Sequence, residues 1–275
     1  MNGIRTSTGV RRRLAVTIAI GVLATACTST ARAPAPTTSP PATSGTLQTP
    51  SSQATTSSYA TARPSTSAFT IPPVSAIARA EGLLDVRTIV PDAVIDLRYA
   101  TTNNFTGVQL YPADARCLVH ETMAAGLRTA AAQLRREGFV LVFWDCYRPH
   151  AVQVRMFQVV PNPNWVARPG PYATSHESAR SVDVTLAVAD TRRPCVSTRR
   201  DHGHCMLHMG TGFDDFTPRA YAYATADVST QQQADRALLR NAMNAGGLTV
   251  YSGEWWHFDG PGAFAHLPIL AAPVN

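Results

Sequence analysis

The stretch Ser252–Asp259, near the C-terminus, restricts the possible folds of this chain more than any other. It places Glu254 three residues before His257, among aromatic side chains that exclude water. In a flat strand, residues three apart point to opposite faces of the sheet. Trp255 and Trp256 must therefore lie in a bulge or a tight turn if the carboxylate and the imidazole share one site. Such a pair suits metal-assisted hydrolysis, whereas the alternative is a buried strand with hydrogen-bonded polar residues.

A second stretch supplies residues that would complete such a site. His176 and Asp183 lie seven residues apart, which corresponds to about 23 Å in an extended strand. Two ligands of one zinc ion lie no more than about 4 Å apart. If both bind the same ion, residues 177–182 must fold back in a compact turn, and Asp183 opens the following strand. Otherwise His176 is a surface or hydrogen-bonded histidine, and Asp183 caps a strand.

The apolar pattern predicts an α+β domain with a mostly antiparallel central sheet flanked by helices. Apolar residues recur at helical spacing in residues 121–136, 150–160 and 231–245. The folded domain is expected to span residues 71–275. Alternating or continuous apolar runs predict strands at residues 83–90, 94–99, 139–144, 181–188 and 248–251.

The N-terminal part of the chain has a different composition. Residues 1–27 contain Arg11–Arg13, a short apolar run and small residues before Cys27, a pattern typical of a bacterial lipoprotein signal. We expect export and lipidation of Cys27, which would anchor the protein on the outer face of the cytoplasmic membrane. The alternative is simple cleavage, which gives a soluble secreted or periplasmic protein. Residues 28–70 are almost entirely Ser, Thr, Ala and Pro and are expected to form a disordered tether.

Four cysteines remain once Cys27 is set aside, and an even number in an exported chain predicts two disulfides. Cys195 and Cys205 enclose a short polar loop and are predicted to pair. Cys117 and Cys146 are then left to pair with each other. The competing prediction is a metal site around the short loop. The residues of that alternative cluster are Cys195, His202, His204, Cys205 and His208.

The formal net charge of +6 does not indicate a nucleic-acid partner. Four of the 24 basic residues lie in the leader, and no later basic run is interleaved with aromatic residues. An acidic wall polymer or an anionic membrane surface accounts equally well for the mild excess. The sequence leaves the oligomeric state open.

A His-x6-Asp motif followed by Glu-x-x-His resembles the metal motifs of the zinc D-Ala-D-Ala metallopeptidases, which share their core fold with the Hedgehog N-terminal domain. The resemblance is more specifically to the D-alanyl-D-alanine dipeptidases of the VanX type, and it extends from Leu83 to Asp259. Five motifs in the same order are far more specific than any one of them. They lie in Asp96–Gly107, Trp144–Pro149, Ser175–Leu186, Met209–Asp214 and Gly253–His257.

The resemblance implies a chemical role for five residues. His176, Asp183 and His257 would bind one zinc ion per chain and leave a fourth position for water. Glu254 would act as the general base, and Arg148 would stabilise the oxyanion as the peptide carbonyl becomes tetrahedral. Without the resemblance, Arg148 would be interpreted as part of a structural salt bridge.

Further residues match family positions around the substrate or the metal turn. Tyr99 and Asp214 match positions near the amino terminus of the substrate, where an anionic Asp favours a free ammonium group. The alternatives are a core tyrosine and a turn aspartate. Thr174 stands where the family usually has Ser and keeps the hydroxyl. Ala179 replaces a Gly in the first metal turn, at a cost of about 1 kcal/mol if the position needs positive φ.

The leading hypothesis is zinc-dependent hydrolysis of D-Ala-D-Ala, or of a closely similar D,D-dipeptide, linked to turnover of cell-wall peptides. One alternative is a D,D- or L,D-carboxypeptidase that acts on longer peptidoglycan peptides. Another is a non-catalytic, zinc-bearing lipoprotein that binds the cell wall. The presence of Glu254 argues against this last alternative, because a binding protein needs no general base.

Overall fold

The computed structural model describes residues 70–195 and 200–275. The expected leader, Cys27 and almost all of the expected tether lie outside the described residues. The described residues fall within one unit of the chain, Ser65–Asn275. In the described ranges, no helix is both long and apolar enough to span a membrane.

A five-stranded sheet positions most of the sequence motifs. Its strands, given in their order across the sheet, are β2 (Val94–Ile95), β4 (Phe139–Asp145), β5 (Ser181–Val188), β9 (His257–Asp259) and β8 (Thr249–Val250). β2 and β4 are parallel, whereas the other three neighbouring pairs are antiparallel. The central strand β5 is buried along nearly its whole length, including its polar residues Ser181, Asp183 and Thr185. Together with the helices, the sheet confirms the predicted α+β class.

Four α-helices accompany the sheets in the described residues. They are α1 (Ala76–Ala80), α2 (Ala124–Arg136), α3 (His150–Val159) and α4 (Thr230–Ala245). α2 packs on β4, and α4 packs on α2 and β8. The close approach of α2 and α4 depends on Gly126 and Gly246, because a Cβ added to Gly246 would lie 2.3 Å from the backbone oxygen of Gly126. The three longer helices match the predicted segments to within a few residues.

The first predicted strand is shorter than expected. β1 spans Leu83–Asp85 and pairs in antiparallel fashion with β3 (Leu118–His120). The prediction of a strand over residues 83–90 was wrong because the chain turns into a 3₁₀ helix at Val86–Thr88. The Asp85 side chain accepts a hydrogen bond from the backbone N–H of Arg87 (2.9 Å) and stabilises this turn.

The second predicted strand is also shorter. The backbone N–H of Asp96 still donates to the carbonyl oxygen of Phe143 (2.9 Å), but β2 has already ended at Ile95. The next residues form a 3₁₀ turn, Arg98–Ala100, instead of continuing to residue 99 in extended conformation. This turn buries the Tyr99 side chain almost completely.

The register of the main sheet places three motif residues side by side. Asp145 of β4 pairs with Asp183 of β5, and Asp183 pairs with His257 of β9. An irregularity between Phe143 and Asp145 shifts the register of β4 just before this position. β5 has the predicted bounds, Ser181–Val188, so Asp183 is its third residue and does not open the strand.

Two disulfides are present in the described residues, and they join the pairs expected from the sequence. The Sγ atoms lie 1.91 Å apart in Cys117–Cys146 and 1.98 Å apart in Cys195–Cys205. The second disulfide closes a loop that carries two short paired strands, β6 (Arg200–Asp201) and β7 (His204–Cys205). A disulfide sulfur is not a thiolate, so the alternative metal cluster at this loop lacks its two sulfur ligands.

Candidate active site

The strongest candidate site lies where β5, β9 and the turn before β5 meet. His176 Nε2 lies 3.2 Å from Asp183 Oδ1, and His257 Nδ1 lies 3.0 Å from the same oxygen. The two imidazole nitrogens are 3.0 Å apart. Ligand atoms about 2.0–2.2 Å from one tetrahedral zinc ion would lie roughly 3.3–3.6 Å apart, so small adjustments would suffice to bind an ion. The structure therefore brings together the three residues expected to bind metal.

The turn that presents His176 forms as the spacing to Asp183 requires. Ser175–Ser178 is a 3₁₀ helix that ends at Ala179 in the left-handed conformation, with φ 57°. Ala179 therefore carries the cost of about 1 kcal/mol that a positive φ imposes on a residue with a Cβ atom. His176 Nδ1 lies 2.8 Å from the backbone carbonyl oxygen of Cys146. Because that oxygen only accepts hydrogen bonds, Nδ1 carries the hydrogen and Nε2 presents its lone pair to the cluster.

His257 is oriented by a residue that sequence reasoning did not single out. Its Nε2 lies 3.0 Å from Asp259 Oδ1, and the Ser181 hydroxyl donates to the same carboxylate oxygen at 2.5 Å. This contact leaves His257 Nδ1 facing Asp183 and His176. A carboxylate behind a metal-binding histidine fixes the ring and increases its basicity. The alternation of side chains along β9 provided the signal, because His257 and Asp259 lie on the same face of the strand.

The charges of this cluster favour a cation among the three side chains. Burial alone would lower the pKa of His257, but hydrogen bonds to Asp183 and Asp259 raise that pKa well above its ordinary value. Burial would raise the pKa of Asp183, but His176 and His257 outweigh it and lower that pKa. Two nitrogens and one carboxylate oxygen form the three-ligand donor set of a catalytic zinc site. The residues present therefore fit a zinc ion.

Glu254 lies beside the metal-binding candidates. A turn links it to the histidine, with the His257 N–H donating to the Glu254 carbonyl oxygen at 3.4 Å. One carboxylate oxygen of Glu254 is 3.9 Å from His257 Nδ1. Burial raises the pKa of Glu254 to about 7, with His257 opposing and Asp183 supporting this increase. A carboxylate with such a pKa is suited to general acid–base catalysis near neutral pH.

Arg148 is buried beside the same cluster and is held by two side chains. Its Nε and Nη2 donate to Asp145 Oδ2 at 3.0 and 2.7 Å, and Nη1 donates to Gln153 Oε1 at 2.6 Å. Nη2 is also 3.9 Å from Asp183 Oδ2. Three of its five N–H groups are thus used, which leaves two for a ligand. Sequence reasoning missed Asp145 and Gln153, although Asp145 lies in the same motif as Arg148.

Tyr99 and Asp214 lie together at one side of the site. The Tyr99 hydroxyl donates to Asp214 Oδ2 at 2.9 Å, and the Arg148 guanidinium lies 5.4 Å from the centre of the Tyr99 ring. Both residues, with Thr174, Glu254 and the three metal-binding candidates, line a cavity of about 250 Å³. The structure thus collects in one cavity all eight residues that the sequence assigned to the metal, the reaction and the substrate.

Comparison with known proteins agrees with this geometry. The D-alanyl-D-alanine dipeptidase of Escherichia coli K12 is 35% identical over 189 residues, which cover 69% of this chain and 89% of that relative. The proteins of the same name from Streptomyces coelicolor and Enterococcus faecium are 31% and 29% identical, and each alignment covers 59% of this chain and 83% of the relative. A family profile described as D-ala-D-ala dipeptidase matches residues 79–275. The chain therefore belongs to the D-ala-D-ala dipeptidase family of metallopeptidases.

Proposed function

We propose that this protein is a zinc-dependent hydrolase of D-Ala-D-Ala, or of a closely similar D,D-dipeptide, that takes part in turnover of cell-wall peptides. The observation that carries the proposal is the cluster of three donor atoms, 3.0–3.2 Å apart, contributed by His176, Asp183 and His257. Glu254 and Arg148 lie next to this cluster and line the same cavity. Family membership and the shared name of the relatives support the choice of substrate.

The proposed chemistry divides between the metal and the side chains. A zinc ion bound by His176, Asp183 and His257 would lower the pKa of water and polarise the peptide carbonyl. Glu254 takes a proton from the attacking water as the new C–O bond forms. It then returns that proton to the amine nitrogen as the C–N bond breaks. The two unused N–H groups of Arg148 donate to the oxygen that becomes negative in the tetrahedral intermediate.

Asp214 and Tyr99 are proposed to bind the free amino terminus of the dipeptide. Burial raises the pKa of Asp214 well above its ordinary value, and the charges of Asp183 and Glu254 raise it further. An ammonium group beside Asp214 would offset this unfavourable environment and favour the ionised carboxylate. The Tyr99 hydroxyl holds the carboxylate in place through its hydrogen bond. Thr174 is proposed as a further contact to the substrate, because it lines the same cavity.

Release of D-alanine from D-Ala-D-Ala tests the proposal. The full chain should cleave the dipeptide, and a zinc chelator should abolish cleavage. Glu254→Gln should reduce kcat by about 10²–10⁴, because the general base is lost. Glu137→Gln, which changes an exposed residue at the end of α2, is the matched control. Activity that survives both the chelator and Glu254→Gln would refute the mechanism, and cleavage of wall pentapeptide but not dipeptide would favour the carboxypeptidase alternative.

We also propose that residues 1–27 direct export, that Cys27 is lipidated and that residues 28–70 tether the domain, residues 71–275, to the outer face of the cytoplasmic membrane. The leader pattern supports export, as do two disulfides in the described domain, because disulfides persist in oxidising compartments. Radiolabelled palmitate should be incorporated into the wild type and not into Cys27→Ser.

We also propose that the core fold is shared with the Hedgehog N-terminal domain, and the mixed parallel and antiparallel sheet supports this proposal.

A further inference from the structure

The cavity has an apolar wall that the proposed chemistry does not use. Phe105, Trp165, Phe216 and Met156 line the cavity together with the catalytic residues. The three aromatic residues are only partly buried, so parts of their rings face the cavity. A D-alanine methyl group is too small to cover three ring edges. The apolar wall, defined here as these four residues, therefore calls for a larger apolar group.

The apolar wall is continuous with the proposed amino-terminal site. The Tyr99 ring, whose hydroxyl donates to Asp214, contacts the Phe105 ring edge-on at 6.3 Å between ring centres. Phe105 contacts Phe216 at 5.1 Å, and Phe216 contacts Trp165 at 5.6 Å. A residue whose ammonium group contacts Asp214 therefore carries its side chain close to these rings.

The other end of the apolar wall is attached to the residues around Arg148. Gln153 accepts a hydrogen bond from Arg148 at 2.6 Å and donates one to the carbonyl oxygen of Ala167 at 2.5 Å. This second bond fixes the segment that carries Trp165. Met156 follows Gln153 by three residues in α3 and so lies on the same face of that helix. The wall therefore flanks both the ammonium site and the arginine expected at the carbonyl oxygen.

We propose that the apolar wall is a subsite for a large apolar side chain on the first residue of a D,D-dipeptide. The preferred substrates would then be dipeptides such as D-Leu-D-Ala, with D-Ala-D-Ala as a smaller member of the class. This inference rests on the proposed function, and it adds the specificity for the first residue. The competing structural explanation is that the aromatic residues only pack the loop around residues 161–167.

Substrate comparison with the full-length, zinc-loaded protein tests the proposal without any variant. We expect kcat/KM for D-Leu-D-Ala to equal or exceed that for D-Ala-D-Ala, since additional methylene groups in an apolar pocket increase specificity by about tenfold or more. D-Ala-D-Leu, which carries the same side chain on the second residue, should be cleaved at least about tenfold less efficiently than D-Leu-D-Ala. Equilibrium binding of the same dipeptides to Glu254→Gln should give the same order without turnover.

Two variants then separate binding from packing. In Phe216→Ala and Trp165→Ala, the ratio of kcat/KM for D-Leu-D-Ala to that for D-Ala-D-Ala should fall about tenfold. Tyr223→Ala is the matched control, because Tyr223 is an exposed aromatic residue (63% exposed) that does not line the cavity. The control should leave the ratio unchanged. Thermal unfolding of each variant reports any loss of packing.

The possible results distinguish this inference from the proposed function. Cleavage of D-Ala-D-Ala with a lower kcat/KM for D-Leu-D-Ala than for D-Ala-D-Ala would overturn the inference and leave the function intact. A ratio that is unchanged in both wall variants would show that the rings only pack the loop. Equal cleavage of N-acetyl-D-Leu-D-Ala would mean that the wall receives a longer peptide instead. Failure to cleave or bind any D,D-dipeptide would overturn both proposals.

Discussion

Removal of the Cys117–Cys146 disulfide should weaken the metal site as well as the fold. The backbone carbonyl oxygen of Cys146 accepts the hydrogen bond from His176 Nδ1 at 2.8 Å. Two residues later, the N–H of Arg148 donates to the carbonyl oxygen of His176 at 3.0 Å. Between them, the N–H of Tyr147 donates to the carbonyl oxygen of Leu118 at 2.9 Å, directly after Cys117. The disulfide therefore fixes the segment that orients one metal-binding histidine.

The two disulfides allow a matched comparison. Their sequence separations are 29 for Cys117–Cys146 and 10 for Cys195–Cys205. In the chain-entropy model these separations correspond to about 3.6 and about 2.7 kcal/mol of stabilisation. Replacing either pair by Ser should thus lower the unfolding free energy by similar amounts, within about 1 kcal/mol of each other. The effect on the metal site should differ much more, because mutation of outer-shell partners lowers metal affinity about 10–100-fold.

Zinc affinity is the measurement that separates the two effects. Competition with a chromophoric chelator should show at least about a tenfold weaker affinity in Cys117→Ser/Cys146→Ser. Cys195→Ser/Cys205→Ser, with a similar loss of stability, should keep a zinc affinity within about twofold of the wild type, because neither cysteine lines the cavity of the site. Equal zinc affinities in the two double variants, whether or not both are weaker than the wild type, would refute the role given to Cys146.

Three more predictions concern single residues. Asp259→Asn should lower zinc affinity about 10–100-fold in the same competition assay, and an unchanged affinity would contradict its role behind His257. Burial alone would raise the pKa of Asp85, but hydrogen bonds from Arg87 and Arg116 lower that pKa. The ionised carboxylate therefore stabilises the fold at pH values above its unfolded pKa of about 4. This stabilisation is lost as the pH falls through the lower pKa of the folded state. The stability difference between wild type and Arg116→Gln, measured by urea unfolding, should therefore be largest near pH 6 and shrink towards pH 2, whereas a pH-independent difference would exclude this linkage. Gly246→Ala should destabilise the protein by about 1–3 kcal/mol because its Cβ would collide with the backbone of α2, and a smaller loss would mean that the helices separate easily.

Much of the site follows from spacing along the chain. His176 and Asp183 are close only if a compact turn separates them, and such a turn is present. Glu254 and His257 likewise required a turn between them, and one hydrogen bond from the His257 N–H to the Glu254 carbonyl oxygen closes it. These constraints are local, because a few residues of chain must bring two ligands together. Local constraints of this kind are visible in a sequence.

The supporting contacts are not visible in this way. Asp259 and Ser181 meet only because β5 and β9 pair in one particular register. The apolar wall gathers side chains from loops around residues 105, 165 and 216, which no spacing rule connects. The strands over residues 83–90 and 94–99 were predicted too long because the apolar pattern continues into 3₁₀ turns at Val86–Thr88 and Arg98–Ala100. Tertiary contacts of this kind depend on the assembled fold.

The alignment of Asp145, Asp183 and His257 across three neighbouring strands has a consequence for how the chain avoids misfolding. A slip of one residue in either strand pairing would turn one of these side chains to the opposite face of the sheet. A β5–β9 pairing shifted by one residue would separate Asp183 from His257 and disrupt the ion site, so the free energy of metal binding would stabilise only the correctly paired sheet. Metal binding would then favour correct strand pairing during folding, and folding without metal would give a larger fraction of mispaired forms.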